Sequence, residues 1–145
     1  MGNRKKQAAD DRKELMKSTA IARLVNVPTS PRKMRVVADL IRGKEVMAAM
    51  NILKYNAKAS STRLEILLQS AISNWEAKTG EKIDEGKAFV QSVNVDSGRM
   101  LKRLRPAPQG RAYRVRKRSN HVTIVLNTIG SASTEEAASA EIAAE

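Results

Sequence analysis

The chain contains no cysteine, so neither a disulfide nor a thiolate metal site is available to it. Its single histidine, His121, is too few for zinc chemistry and lies in a stretch that reads as a strand, where a packed or surface role is the default. Aromatic residues make up 3% of the chain and do not cluster, which argues against a single-strand reader built on a platform of exposed rings. No apolar run approaches the roughly 18 residues of a membrane-spanning helix. The start, MGNRKKQAAD, has no apolar signal core and carries Lys6 where a myristoylation signal wants Ser or Thr. There is no phosphate-binding loop, dinucleotide turn or serine elbow, and the acids are scattered. These absences point to a soluble intracellular protein that is not an enzyme. No cofactor, no metal, no membrane contact and no small-molecule substrate are expected; a phosphodiesterase using carboxylate-bound metal would fit the composition, but no acidic cluster meets the basic surface.

What the chain has in abundance is positive charge. The formal net charge is +12 from 27 Lys and Arg against 15 Asp and Glu. From Thr128 onward there are four Glu and no base, so residues 1–127 carry 27 basic against 11 acidic side chains, or +16. A basic excess of this size is a statement about polyanions, because each neutralised phosphate releases condensed counterion. Charge kept only for solubility would be interspersed, whereas here it is clustered. Nucleic acid is the expected partner.

The densest cluster is RMLKRLRPAPQGRAYRVRKR, Arg99 to Arg118, with nine bases and no acid. Its bases are Arg99, Lys102, Arg103, Arg105, Arg111, Arg114, Arg116, Lys117 and Arg118. Two arms flank Ala107-Pro108-Gln109-Gly110, a turn sequence with Pro second and Gly fourth. The stretch predicts a long basic β-hairpin whose tip spans Pro106, Ala107, Pro108, Gln109 and Gly110. Arms of eight to twelve residues, at about 3.3 Å each, would reach roughly 25 to 40 Å. An isolated ribbon is marginal in water, and crowded like charges weaken it further, so an anionic partner is expected to order it.

The remaining sequence supplies a scaffold. Residues 1–18 are polar, with a weak helical pattern around Ala8 to Met16, and read as a flexible or partner-ordered extension. Thr19 to Val27 predicts a strand of imperfect alternation, closed by Pro28. Ser30 and Pro31 then mark a helix start and Gly43 a stop, with Met34, Val37, Ala38 and Ile41 on one face. Arg32, Lys33 and Arg35 crowd the first turn, where the helix dipole disfavours cations unless an anion docks there. A solvated basic face is the plain alternative; Arg42 and Lys44 add to the same excess.

A second helix is expected from Glu45 to about Lys54, burying Val46, Met50 and Leu53. Asn56 is expected to cap a third, which runs to Thr79 and stops at Gly80. Leu64, Leu67, Leu68, Ala71, Ile72 and Trp75 repeat along it at helical spacing, with Trp75 in the core. Phe89 to Val95 predicts a strand with Phe89, Val93 and Val95 on one face and Val90, Ser92 and Asn94 on the other. Asp96-Ser97-Gly98 should bend or bulge it before the hairpin, which spans 96–118. In the return strand, Val122, Ile124 and Leu126 alternate with His121, Thr123 and Val125. Domain 19–127 is thus bracketed by the extension and by an acidic Ala-rich tail, 128–145, expected to be disordered.

The composition leaves one rival open, a DNA-bending architectural protein whose ribbon enters the minor groove. Such proteins usually build the ribbon from a smaller intertwined dimer. The motifs favour another family. SPRKMRVVADLIRGK (Ser30 to Lys44), AAMNILKYNAKAS (Ala48 to Ser60), LLQSAISN (Leu67 to Asn74), VNVDSGRMLKRLRP (Val93 to Pro106) and GRAYRVRKRSNHVTIVL (Gly110 to Leu126) follow in order. Together, from Thr19 to Asn127, they closely resemble the bacterial large-subunit ribosomal protein twenty-two family. The resemblance implies an α+β fold of order β-α-α-α-β-β, with a three-stranded antiparallel sheet packed on three helices and a long protruding hairpin. It implies a cytoplasmic structural constituent of the large subunit that binds 23S rRNA and helps assemble it. Its hairpin would line the nascent-peptide exit tunnel, near ribosomal protein four and other large-subunit proteins, where it would meet the nascent peptide. Arg32, Lys33 and Arg35 match the family's basic helix start, and Lys102, Arg103, Arg111, Arg114, Lys117 and Arg118 match or nearly match its ribbon. The sequence departs from the usual pattern at Arg99, at Ala107 to Gln109, where bases are usual, and at Tyr113, where Asp is usual.

Overall fold

The computed structural model describes residues 2–80, 82–83 and 88–128. Four helices and five strands follow in order: α1 (Gly2–Ser18), β1 (Ala20–Val27), α2 (Pro31–Ile41), α3 (Val46–Tyr55), α4 (Ala59–Thr79), β2 (Ala88–Ser97), β3 (Leu101–Pro106), β4 (Ala112–Lys117) and β5 (Asn120–Thr128). Strands β1, β5 and β2 form an antiparallel sheet with β5 in the centre. Strands β3 and β4 form a separate two-stranded ribbon. The α+β class and the three-stranded antiparallel sheet are therefore as expected. One helix is added at the front, where α1 replaces the expected extension with helix from Gly2 and touches α4. The expected acidic tail, from residue 129 onward, lies outside the described residues.

One sheet face is dry. On β5 Val122, Ile124 and Leu126 are fully buried, and α2, α3 and α4 supply Met34, Ile41, Leu53, Leu64 and Leu68 opposite them. Trp75 is buried at the rim of this core, as its spacing predicts. Burying such side chains is worth about 1.5 to 3 kcal/mol each, which is the drive that closes helices onto sheet.

Four expectations need correction. The faces of β2 change over midway: Val90, Val93 and Val95 are buried, and Phe89 is only half-buried. The cause is a bulge between Val90 and Ser92, which inserts a residue and switches the alternation. The bend expected at Asp96-Ser97-Gly98 is absent; Ser97 still pairs with Asn120, and Gly98 N–H donates to the Ser119 carbonyl at 2.9 Å. Asn56 does not cap α4: its side chain accepts the Lys58 amide at 3.1 Å, and Lys58 is the cap residue. Finally, Ala49, not Met50, joins Val46 and Leu53 as the buried set of α3, with Met50 half-buried against the core.

The β2 edge is covered along its length, and the β1 edge is tied down at its start. Along β2, Gly43 N–H donates to Val90 O at 2.9 Å and Val90 N–H to Lys44 O at 2.9 Å. Further along, Arg42 Nη2 reaches Val93 O at 2.9 Å and Arg35 Nη2 reaches Val95 O at 3.1 Å. At β1, Asn74 donates to Ile21 O at 3.1 Å and Lys78 to Thr19 O at 2.7 Å. The paired β2 edge offers no template for a stray strand.

Candidate nucleic-acid interface

The ribbon leaves the sheet at a joint made from both flanking strands. A bulge in β1 between Leu24 and Val27 leaves Asn26 in the left-handed region, φ 58°, and explains the imperfect alternation of that strand. The displaced Asn26 amide donates to His121 Nδ1 at 3.0 Å, an arrangement that puts the ring proton on Nε2. Gly98 lies against the same histidine and against Ser119: a Cβ there would stand 2.7 Å from Ser119 Oγ and 3.0 Å from His121 Nε2. Ser119 Oγ in turn donates to the Arg99 carbonyl. Beside this, buried Asn120 donates to Thr29 O at 2.8 Å and Thr29 Oγ1 at 2.7 Å, tying the ribbon's return strand to the loop before α2.

That tie brings the first turn of α2 against the hairpin root. A cleft of about 640 Å³ opens there, lined on one side by Thr29, Ser30 and Lys33 and on the other by Arg99, Arg116, Lys117 and Arg118. A second cleft of about 390 Å³ is lined by Ser30, Arg32, Arg35, Ser97 and Arg118. Arg118 thus borders both. No acidic residue lines either cleft. Ser30 occupies the cap position of α2 but its side chain makes no capping hydrogen bond, and the first turn holds no acid. Positive charge therefore accumulates on both sides of the root cleft, next to a helix N-terminus that favours an anion.

Beyond the root, β3 and β4 pair from Leu101 with Lys117 to Pro106 with Ala112. The paired arms are six residues each, about 20 Å long. That is shorter than expected, because residues 98–100 and 118–119 belong to the joint. The tip closes with Ala107 N–H on Arg111 O at 2.9 Å, one residue beyond the expected turn. Gln109 and Gly110 both adopt positive φ, 63° and 69°, and Arg111 Nη2 donates to Gln109 Oε1 at 2.7 Å. Along the arms Val115 alone is half-buried and the rest are exposed.

The basic residues singled out from sequence fall into three sets, with Lys44 apart from them. Lys33, Arg99, Arg116, Lys117 and Arg118 converge at the root, with Arg32 on its far side. Lys102, Arg103, Arg105 and Arg114 lie along the exposed arms and Arg111 at the tip. Arg42 and Arg35 sit on the β2 edge, and Arg42 also pairs with Asp39 at 2.7 Å. Lys44 is exposed and serves β2 through its backbone. Among the described residues no hairpin cation takes part in an ion pair. Sequence reasoning missed Gly98, Ser119, Asn120 and Asn26 as the joint. The signal was there in part: a glycine and the only histidine bracket the ribbon.

The fold and this surface define a class: a small α+β protein whose core supports a basic ribbon that has no core of its own. The chain belongs to the family of Ribosomal protein L22p/L17e, whose model matches residues 22–127. That is a family of structural ribosomal proteins, not of enzymes. The chain is 62% identical to large ribosomal subunit protein uL22 of Flavobacterium johnsoniae over 130 residues, 89% of this chain and 95% of that protein. Against the uL22 proteins of Porphyromonas gingivalis and Bacteroides fragilis, identity is 57% and 56%, over 89% and 88% of this chain and 96% and 94% of theirs.

Proposed function

We propose that this chain binds 23S rRNA through the joint and the ribbon, and that the hairpin tip, Pro106 to Gly110, reaches the wall of the nascent-peptide exit tunnel. By family it is a structural constituent of the large ribosomal subunit, placed in the bacterial cytoplasm. Its partners by that membership are rRNA and neighbouring ribosomal proteins. The observation that carries the RNA reading is the convergence of Lys33, Arg99, Arg116, Lys117 and Arg118 on one acid-free cleft at a helix N-terminus. Cations so placed neutralise phosphates from more than one RNA segment, and positioning outweighs base readout. The ribbon, exposed on both faces, gains its environment from the RNA around it. At the tip the charge stops short of Pro106 to Gly110, a short neutral surface suited to the tunnel interior and a passing peptide.

The test is assembly in cells. Tagged wild-type chain is expected to co-sediment with large subunits through a moderate salt wash. Lys33→Glu with Arg118→Glu is expected to leave the chain free in the supernatant. Retention of that double variant overturns the cleft's role, and wild-type protein that follows bulk DNA instead restores the architectural reading.

A further inference from the structure

The ribbon has two sides and no core of its own, and the register sorts its side chains between them, because directly opposed residues share a side. One side carries Lys102 opposite Arg116, Leu104 opposite Arg114 and Pro106 opposite Ala112. The other carries Leu101 opposite Lys117, Arg103 opposite Val115 and Arg105 opposite Tyr113. The first side sets Lys102 and Arg116 face to face, a like-charge pairing that an anion between them relieves. The second side is different. It sets a phenol ring next to a guanidinium, with Arg103 two residues back on the same side. Tyr113 is 64% exposed, and among the described residues its hydroxyl has no hydrogen-bond partner and its ring no ring contact.

Phosphate alone would satisfy the cations of this side and leave the ring in water. We infer that Tyr113 stacks on an unpaired nucleobase, while Arg103 and Arg105 hold the phosphates that flank it. The inference rests on the reading that the ribbon crosses RNA, and names what one of its sides recognises there. Every base presents a π-face, so a single exposed ring takes whichever base is unpaired, without reading its identity. The charge around the ring favours RNA over a peptide: Arg99 to Arg118 holds nine bases and no acid, a field that a polyanion fills and a neutral chain does not.

The experiment uses the full chain with two RNAs of equal length, a stem-loop carrying 2-aminopurine in its loop and a fully paired duplex. Tyr113→Phe is expected to bind both as the wild type does and to keep the fluorescence change at the loop. Tyr113→Leu and Tyr113→Ala are expected to bind the stem-loop about tenfold more weakly and the duplex unchanged. Wild-type affinity of Tyr113→Leu for the stem-loop would overturn the inference, because apolar bulk would then suffice. So would an equal loss on both RNAs. In assembled subunits, Tyr113→p-azidophenylalanine is expected to crosslink to rRNA; a crosslink to a protein or to a nascent peptide overturns it. Failure of the wild type to enter large subunits would instead count against the proposed function, and the stem-loop comparison is read without it.

Discussion

The two sheets of this molecule have the same antiparallel geometry and opposite reasons to exist. In β5 Val122, Ile124 and Leu126 are sealed against helices, whereas in β3 not one of six is even half-buried. The first sheet is held by what it excludes from water. The second has backbone hydrogen bonds, a joint and little else, so its order in the free chain is borrowed from the root. The lesson is that a ladder of hydrogen bonds describes a strand without accounting for its stability.

The largest expected contrast comes from equal truncations in the two sheets. Ile124→Ala removes a fully buried side chain from the centre of the core, and should cost about 2 to 5 kcal/mol in urea denaturation. Leu104, 74% exposed on the ribbon, should cost less than about 0.5 kcal/mol as Leu104→Ala. Comparable losses at both sites would mean that the free ribbon packs against something after all.

A smaller contrast lies within the cations. Arg42 spends its guanidinium on Val93 O and Asp39, so Arg42→Met uncaps a carbonyl on the β2 edge and should cost about 1 kcal/mol. Lys33 faces the root cleft and has no such partner among the described residues. Lys33→Met should leave stability within about 0.5 kcal/mol and lower the salt slope of RNA binding by about 1. Equal stability losses would show that Lys33 also serves the fold.

How much of this was legible depends on distance along the chain. Val122, Ile124 and Leu126 could be assigned to the core because nothing interrupts β5 and period two holds throughout. In β2 the same rule put Phe89 inside with Val93, and the bulge between Val90 and Ser92 undid it. No local pattern marks that extra residue, since valines stand on both sides of it. The basic clusters were equally plain, but not which cations are free. Arg35 and Arg42 look like Lys33 in sequence, and the carbonyls that occupy them lie 60 and 51 residues away. The joint was hidden for the same reason: Asn26 and His121 are 95 residues apart.

The joint allows the finest test, because at Gly98 two small effects oppose each other. Its backbone does not lie among the positive-φ glycines, so alanine suits the conformation. Restricting the unfolded chain would stabilise by about 0.4 to 1 kcal/mol. Against that, the new Cβ would stand 2.7 Å from Ser119 Oγ, which must rotate and release the Arg99 carbonyl, and 3.0 Å from His121 Nε2, a ring that need give only a few tenths of an ångström. Losing one such hydrogen bond costs about 0.5 to 1.5 kcal/mol. The two nearly cancel, so Gly98→Ala should change global stability by less than about 1 kcal/mol. The effect should instead be local: amide exchange near Leu101 and Lys117 speeds up while β5 exchanges as before. Ser119→Ala, which deletes the same clamp without the added methyl, should accelerate the same amides. If Gly98→Ala lowers protection across β5 as well, the joint is part of the core's cooperative unit, and the division between the two sheets is not where the burial pattern draws it.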